Sequence, residues 1–181
     1  MYRPDIGYVQ GMSYLAAVVL MYVHDETQSF RTFANLMLKT PMMPFFTFNE
    51  EFVTKSLQLF KQVFQINLPD LCEHFEMEEI KPRQYVYKWI MTLFSTTLSI
   101  RVCSHVWDLY FLDGIFILYQ ASIAILRLLR PKLLAEDMEG ILKILQNVSQ
   151  HITEADEEKL IDHIFNMMYP QWVYEEIKSL N

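Results

Sequence analysis

The chemistry of this chain turns on one glutamine. Residues Arg3-Pro4-Asp5-Ile6-Gly7-Tyr8-Val9-Gln10-Gly11-Met12-Ser13 set a Tyr-x-Gln between two glycines, immediately ahead of a long apolar run. The chain has only four glycines, so two of them in one short passage point to backbone that turns tightly or approaches something closely. A carboxamide is no general base at neutral pH, but it can accept from water and donate to a phosphate oxygen at once. That equips it to hold a water in line with a phosphate, in a reaction where protein groups mostly position. Residue type alone equally allows Gln10 to be a solvated group at a helix start and Tyr8 an anchoring aromatic.

Other chemistries fail on spacing. Cys72/His74 and Cys103/His105 resemble metal-ligand pairs, but both fall in expected helices, where residues two apart project about 200° from each other. No metal site is expected, and both cysteines are expected to be reduced thiols in the core. Gly11-Met12-Ser13 superficially resembles a nucleophile elbow, yet Leu15 occupies the place of its second glycine. No glycine-rich loop ending in Lys-Ser/Thr is present, so the chain is not expected to hold a nucleotide itself.

The elements that must carry these residues are helical. At 181 residues, 52% hydrophobic and 14% aromatic, the chain is one domain's worth with a sizeable core. A net charge of −7 without a basic cluster argues against nucleic acid, whose binding rests on cationic contacts. The longest apolar runs, Tyr14 to Val23 and Ile115 to Leu129, fall short of the roughly 20 residues of a membrane span and read as buried helices. The first, Met12 to Tyr22, is apolar almost all round and is expected to be central. Asp25 with Gln28 caps a helix to about Leu38 that Pro41 and Pro44 end, and Met42 to Phe46 reads as a link. Thr47-Phe48-Asn49-Glu50 reads as a capping box before a helix with its apolar stripe on Val53, Leu57, Phe60 and Phe64. Pro69 starts another helix, and Pro82 opens one presenting Val86, Ile90, Leu93 and Phe94 on one face. Ser99 caps a helix reaching Phe111, Asp113-Gly114 turns, and the next helix stops at Arg130-Pro131. Three further helices follow, around 137–148, from Thr153 to before Pro170, and 172–177. The sum is an all-α domain of eight or so helices with no fixed repeat.

Gly7-Tyr8-Val9-Gln10-Gly11-Met12 closely resembles the Tyr-x-Gln motif of TBC domains, the GTPase-activating domains that act on Rab-type small GTPases. Ile100-Arg101-Val102-Cys103-Ser104-His105-Val106-Trp107-Asp108, followed by the Gly114 turn and an apolar helix, resembles the family's Arg-x-Trp-Asp segment. The two stand in the family's order and at roughly its separation. The resemblance implies that residues 1–181 are a single, partial TBC domain, an irregular multi-helix fold with its N-terminal part missing. It implies that Gln10 is the glutamine inserted in trans into a Rab active site, with Tyr8 positioning it and Gly11 and Met12 beside it on the partner-binding side. Gly7, Trp107 and Asp108 are structural motif positions, Trp107 as a core anchor and Asp108 as a buried or capping acceptor. The implied partner is a Rab in its GTP state, which holds the GTP and Mg; the chain itself needs no cofactor. The implied setting is vesicle trafficking in the cytoplasm, peripheral to endomembranes through the partner.

Two departures stand out. The family's second inserted side chain, an arginine, belongs to an Ile-x-x-Asp-x-x-Arg motif upstream of Tyr-x-Gln; only nine residues precede Gln10 here, and Arg3 lacks that context. The expectation is a fragment of a longer protein, the alternative being a natural short form without full activity; either is weak or inactive as a GTPase activator by itself. His105 stands where the family commonly has the arginine of Arg-x-Trp-Asp. Both departures favour the alternative, a non-catalytic helical module that binds a GTPase or an adaptor.

Overall fold

The computed structural model describes residues 6–38 and 42–179, all of them helical or in connecting turns. Arg3, Pro4 and Pro41 lie outside the described residues. In chain order the helices are α1 (Met12–Tyr22), α2 (Glu26–Leu38), α3 (Met42–Phe46), α4 (Glu50–Asn67), α5 (Pro69–Met77), α6 (Val86–Met91), α7 (Ile100–Asp113), α8 (Ile115–Leu133), α9 (Met138–Gln146), α10 (Val148–His151), α11 (Glu154–Phe165) and α12 (Gln171–Ser179). The all-α expectation holds, with twelve α-helices among the described residues where about eight were expected. The two that answer to none of the helical segments named above, α3 and α10, are short pieces that sequence periodicity cannot separate from links.

Helix α8 is the axis of the fold. It is buried from Leu118 through Leu126 and packs against α4, α6, α7, α9, α11 and α12. The polar residues inside it are satisfied: Gln120 Nε2 donates to the Met167 carbonyl at 2.7 Å, and Ser122 Oγ to the Leu118 carbonyl at 2.8 Å. From α8, Tyr119 reaches across to α4, its hydroxyl lying 2.7 Å from Ser56 Oγ. Such pairing removes most of the cost of burying these groups. The helix continues past the expected stop at Pro131 to Leu133. A proline that close to a C-terminus costs one backbone hydrogen bond without cutting the turn short.

Helix α1 is not the central helix that its composition implies. Leu15, Val18 and Val19 are buried on one stripe, while Tyr14, Leu20, Met21 and Tyr22 are at least half exposed. Its main neighbour is α2, and one neighbour covers one stripe. Apolar content states what a helix prefers; the number of elements that reach it decides what is buried.

Local signals are borne out at several helix starts. Asp25 Oδ1 accepts from Gln28 N at 2.8 Å, Ser99 Oγ from Val102 N at 3.4 Å, and Thr153 pairs with Asp156 in a capping box. The start of α4 differs from expectation. Its N-cap is Asn49, whose Oδ1 accepts from Phe52 N at 3.0 Å, because Thr47 is still tied to α3 through the Met43 carbonyl. The helix expected from Pro82 is also broken. A 3-10 turn (Pro82–Gln84) leads into α6, which ends at Met91, and Leu93 and Phe94 follow at φ 44° and 63°. Two successive left-handed residues are costly, and here both are fully buried.

Tyr85 lies in an aromatic cluster with Phe60, Phe75 and Trp89, ring centroids 6.4, 5.8 and 5.2 Å away. Its hydroxyl is buried with no partner among the described residues, and burial pushes its pKa well up. An unpaired buried hydroxyl is a net cost. Tyr85→Phe should therefore stabilise the chain by about 1 kcal/mol, read as a rise in the urea midpoint with an unchanged slope.

Candidate functional site

The Tyr-x-Gln passage folds as a turn seated on the head of α1. Met12 N donates to the Val9 carbonyl at 3.2 Å, which makes Gln10 and Gly11 the central residues of a four-residue turn. Gly11, at φ 113° and ψ −32°, is close to the second central position of a type II turn, where φ must be positive and glycine is the default. Its carbonyl then accepts from Tyr14 N and Leu15 N at 3.1 and 3.4 Å, so the turn passes directly into the helix. Gln10, at the apex, is exposed. Tyr8 is 73% exposed and its hydroxyl lies 3.3 Å from Ser13 Oγ, which ties the segment before the turn to the first turn of α1.

Gly11 is buried against Thr92, Phe46 and Met91, but a Cβ there would meet them at 3.6–4.0 Å, an ordinary contact. Backbone conformation, not crowding, is what demands glycine. Gly11→Ala should cost roughly 1–2 kcal/mol, measurable by urea unfolding. Gly7 is different: it is exposed, a Cβ would meet nothing within 4 Å, and its φ is not in the positive range. Among the described residues nothing accounts for a glycine at that position.

Beside the turn opens a groove of about 590 Å³ lined by Tyr8, Val9, Gln10, Gly11 and Tyr14 on one side and by Phe48, Tyr87, Lys88, Met91 and Thr92 on the other. Met12 is half-buried, and its Sδ receives Val9 N at 3.4 Å, so it braces the turn from within. The far wall is stiff. Tyr87 donates to the Phe45 carbonyl at 3.1 Å, joining α6 to α3, and the Arg83 guanidinium lies over its ring at 5.6 Å. Thr92 Oγ1 donates to the Lys88 carbonyl at 2.9 Å. Burial raises the Tyr87 phenol's pKa, which keeps it a neutral donor.

The second motif reaches this groove from beneath. Trp107, 5% exposed, donates Nε1–H to the Leu93 carbonyl at 2.9 Å, and Cys103 Sγ approaches the same oxygen at 3.4 Å. Leu93 is the first left-handed residue of the turn after α6, and that turn carries Met91 and Thr92 under Gly11. Trp107 is thus the expected core anchor, and it fixes the floor on which the Gln10 turn rests. Burial pushes the Cys103 thiol up to about 12, so it is a packing group and not a nucleophile. Cys72 is buried as well, and no cluster among the described residues could hold a metal ion.

Asp108 departs from expectation. It is exposed and its carboxylate bonds to nothing among the described residues, neither buried nor capping. The buried face of α7 runs through Val102, Cys103, Val106, Trp107 and Tyr110, and Asp108 falls outside it. His105 is exposed too, its Nδ1 lying 2.8 Å from the Arg101 carbonyl one turn back. Phe48 and Lys88 were invisible as site residues. Phe48 sat inside an expected capping box and Lys88 inside an expected helix, and only the fold carries them to the groove.

The model of the Rab-GTPase-TBC domain family matches residues 1–134, three-quarters of the sequence. The chain belongs to that family. TBC1 domain family member 12 of Xenopus tropicalis is 38% identical over 152 residues, 84% of this chain and 22% of its own length. TBC1 domain family member 14 of Homo sapiens is 33% identical over 83% of this chain and 22% of its own length. Drainin of Dictyostelium discoideum is 29% identical over 97% of this chain and 40% of its own length. The chain thus spans under a quarter of the two TBC1 relatives. Among solved structures, the Chlamydomonas flagellar RabGAP TBC domain superposes with a TM-score of 0.79 at 20% identity, over 92% of this chain and 55% of that one. The Ypt/Rab-GAP domain of Gyp1p superposes with 0.74 at 19% identity, over 96% and 62%. At such identities the likeness speaks for the TBC fold, and it takes in helices beyond residue 134. No described helix is long and apolar enough to cross a membrane.

Proposed function

We propose that this TBC chain carries the glutamine-bearing half of a Rab GTPase-activating site. Gln10 enters the active site of a GTP-loaded Rab. Its carbonyl oxygen accepts from the attacking water while its amide donates to a γ-phosphate oxygen, holding the water in line. Tyr8 steers the turn and meets the Rab surface, with Gly11 and Met12 behind it. The GTP and Mg stay with the Rab. The second inserted group, the arginine of the upstream Ile-x-x-Asp-x-x-Arg motif, comes from sequence outside these 181 residues, and the whole operates in the cytoplasm at membranes that the Rab marks.

The observation that carries this proposal is the presentation of Gln10, at the apex of a turn that Gly11 fixes, beside a groove, with its carboxamide free of any partner among the described residues. A polar side chain held out by rigid backbone is what a group delivered into a neighbouring active site requires. The test is association with a panel of Rabs loaded with GDP or with a non-hydrolysable GTP analogue. Preference for the GTP form by at least one Rab is expected; no association with any of them would contradict the proposal. A second reading, a GTPase- or adaptor-binding module without catalysis, is favoured by His105, whose ring is turned back onto its own helix where the family's arginine would fork to carboxylates. Association without acceleration, even with upstream sequence present, would select it.

A further inference from the structure

Phe48 follows α3 at φ 54° and is 56% exposed. A bulky side chain at positive φ is strained, and a large apolar side chain more than half in water recovers only part of its burial energy. Both costs fall on one residue, and it lines the groove that Gln10 also lines. Lys88 lines the same wall. Six cations of this surface, Lys55, Lys61, Arg83, Arg101, Arg130 and Lys159, each meet a carboxylate, while others, such as Lys81 and Lys143, lie outside this groove and pair with none among the described residues. Lys88 meets none among the described residues, and the groove's described lining contains no carboxylate. In a chain of net charge −7 this is an isolated positive point between exposed aromatic rings, Tyr8 and Tyr14 on one side and Phe48 on the other.

We infer that Phe48 and Lys88 form the partner-reading wall of the groove: Phe48 packs on an apolar side chain of the GTPase, and Lys88 pairs with a carboxylate next to it. This rests on the proposed Rab partnership and adds the chemistry of the partner's surface, an apolar residue flanked by an acid. Neither residue touches the reacting atoms. Phe48 supplies area in a desolvated contact, the usual source of binding energy at an interface, and Lys88 supplies discrimination and association rate.

The test uses the chain extended upstream, a panel of Rabs bearing a non-hydrolysable GTP analogue for affinity, and the same Rabs with GTP for single-turnover rates. Phe48→Gly is the informative variant, because glycine adopts φ 54° freely. It should melt no lower than the parent, yet bind the preferred Rab roughly tenfold more weakly. Lys88→Gln should weaken binding several-fold and flatten its salt dependence, and replacing the facing acid on the Rab should cancel that difference. In both variants KM rises and the saturated rate is kept. Unchanged affinity in Phe48→Gly and Lys88→Gln, with Gln10→Ala still inactive, overturns this inference and leaves the Rab reading standing. A fall in saturated rate at unchanged affinity for Lys88→Gln places its ammonium on a phosphate and overturns the carboxylate assignment. A parent that binds no Rab overturns the functional reading and this inference together.

Discussion

Gln10→Ala is expected to lower single-turnover GTP hydrolysis by a bound Rab on the order of 10²–10³-fold, the scale of removing one preorganised donor at a developing charge. Stability should stay within about 0.5 kcal/mol of the parent, since an exposed side chain without partners contributes little to folding. Rab affinity should change little, because the carboxamide acts on water and phosphate and not on the docking surface. Gln10→Glu sharpens the expectation. A carboxylate of nearly the same shape still accepts from water, but it cannot donate to the γ-phosphate and repels it, so it should be no better than alanine. Recovery of activity by glutamate would show that accepting from water suffices at this position and that donation to the γ-phosphate is dispensable.

Trp107→Ala is expected to be the most destabilising single change near the site, by about 3–5 kcal/mol for the lost indole, with the Leu93 carbonyl left bonded only to a weak thiol donor. That is a large share of the 5–15 kcal/mol or so of a typical domain, and partial unfolding at physiological temperature should follow. Trp107→Phe separates packing from hydrogen bonding. It keeps much of the volume and loses the N–H, at about 1–2 kcal/mol, so the chain stays folded while the Leu93–Phe94 turn loosens. Because that turn carries Met91 and Thr92 beneath Gly11, the phenylalanine variant should also lose GTPase-activating rate. Calorimetry and single-turnover kinetics on the same samples check both parts, and full activity in Trp107→Phe would disconnect the two motifs.

That connection shows what the sequence made legible and what it could not. The Gln10 turn, the caps at Asp25, Ser99 and Thr153, and the core role of Trp107 were all readable, because each depends on residues a few positions apart or on one large side chain. The break after Met91 was not, since Leu93 and Phe94 carry no glycine or asparagine to announce a positive φ. It is held by Trp107, fourteen residues away, together with Phe94 N donating to the Trp89 carbonyl at 2.8 Å. The exposure of Asp108 is not legible in the motif, because which side of α7 is covered depends on α8 and α11 packing against it. Phe48 and Lys88 carry no signal in the sequence, because only the fold brings them into the groove that Gln10 lines. The exposure of α1 was equally unreadable, because burial depends on neighbours that composition does not count.

Whether Gln10 works inside a partner's active site is read most directly from single-turnover GTP hydrolysis by a Rab that the chain binds. Three proteins are compared: the 181-residue chain, a form extended through the upstream arginine motif, and the extended form with Gln10→Ala. An arginine finger alone is worth roughly 10³–10⁵ in rate, so the account predicts strong acceleration by the extended form, little by the 181 residues, and little by the Gln10→Ala variant. Binding without acceleration by the extended form, or acceleration untouched by Gln10→Ala, would contradict it.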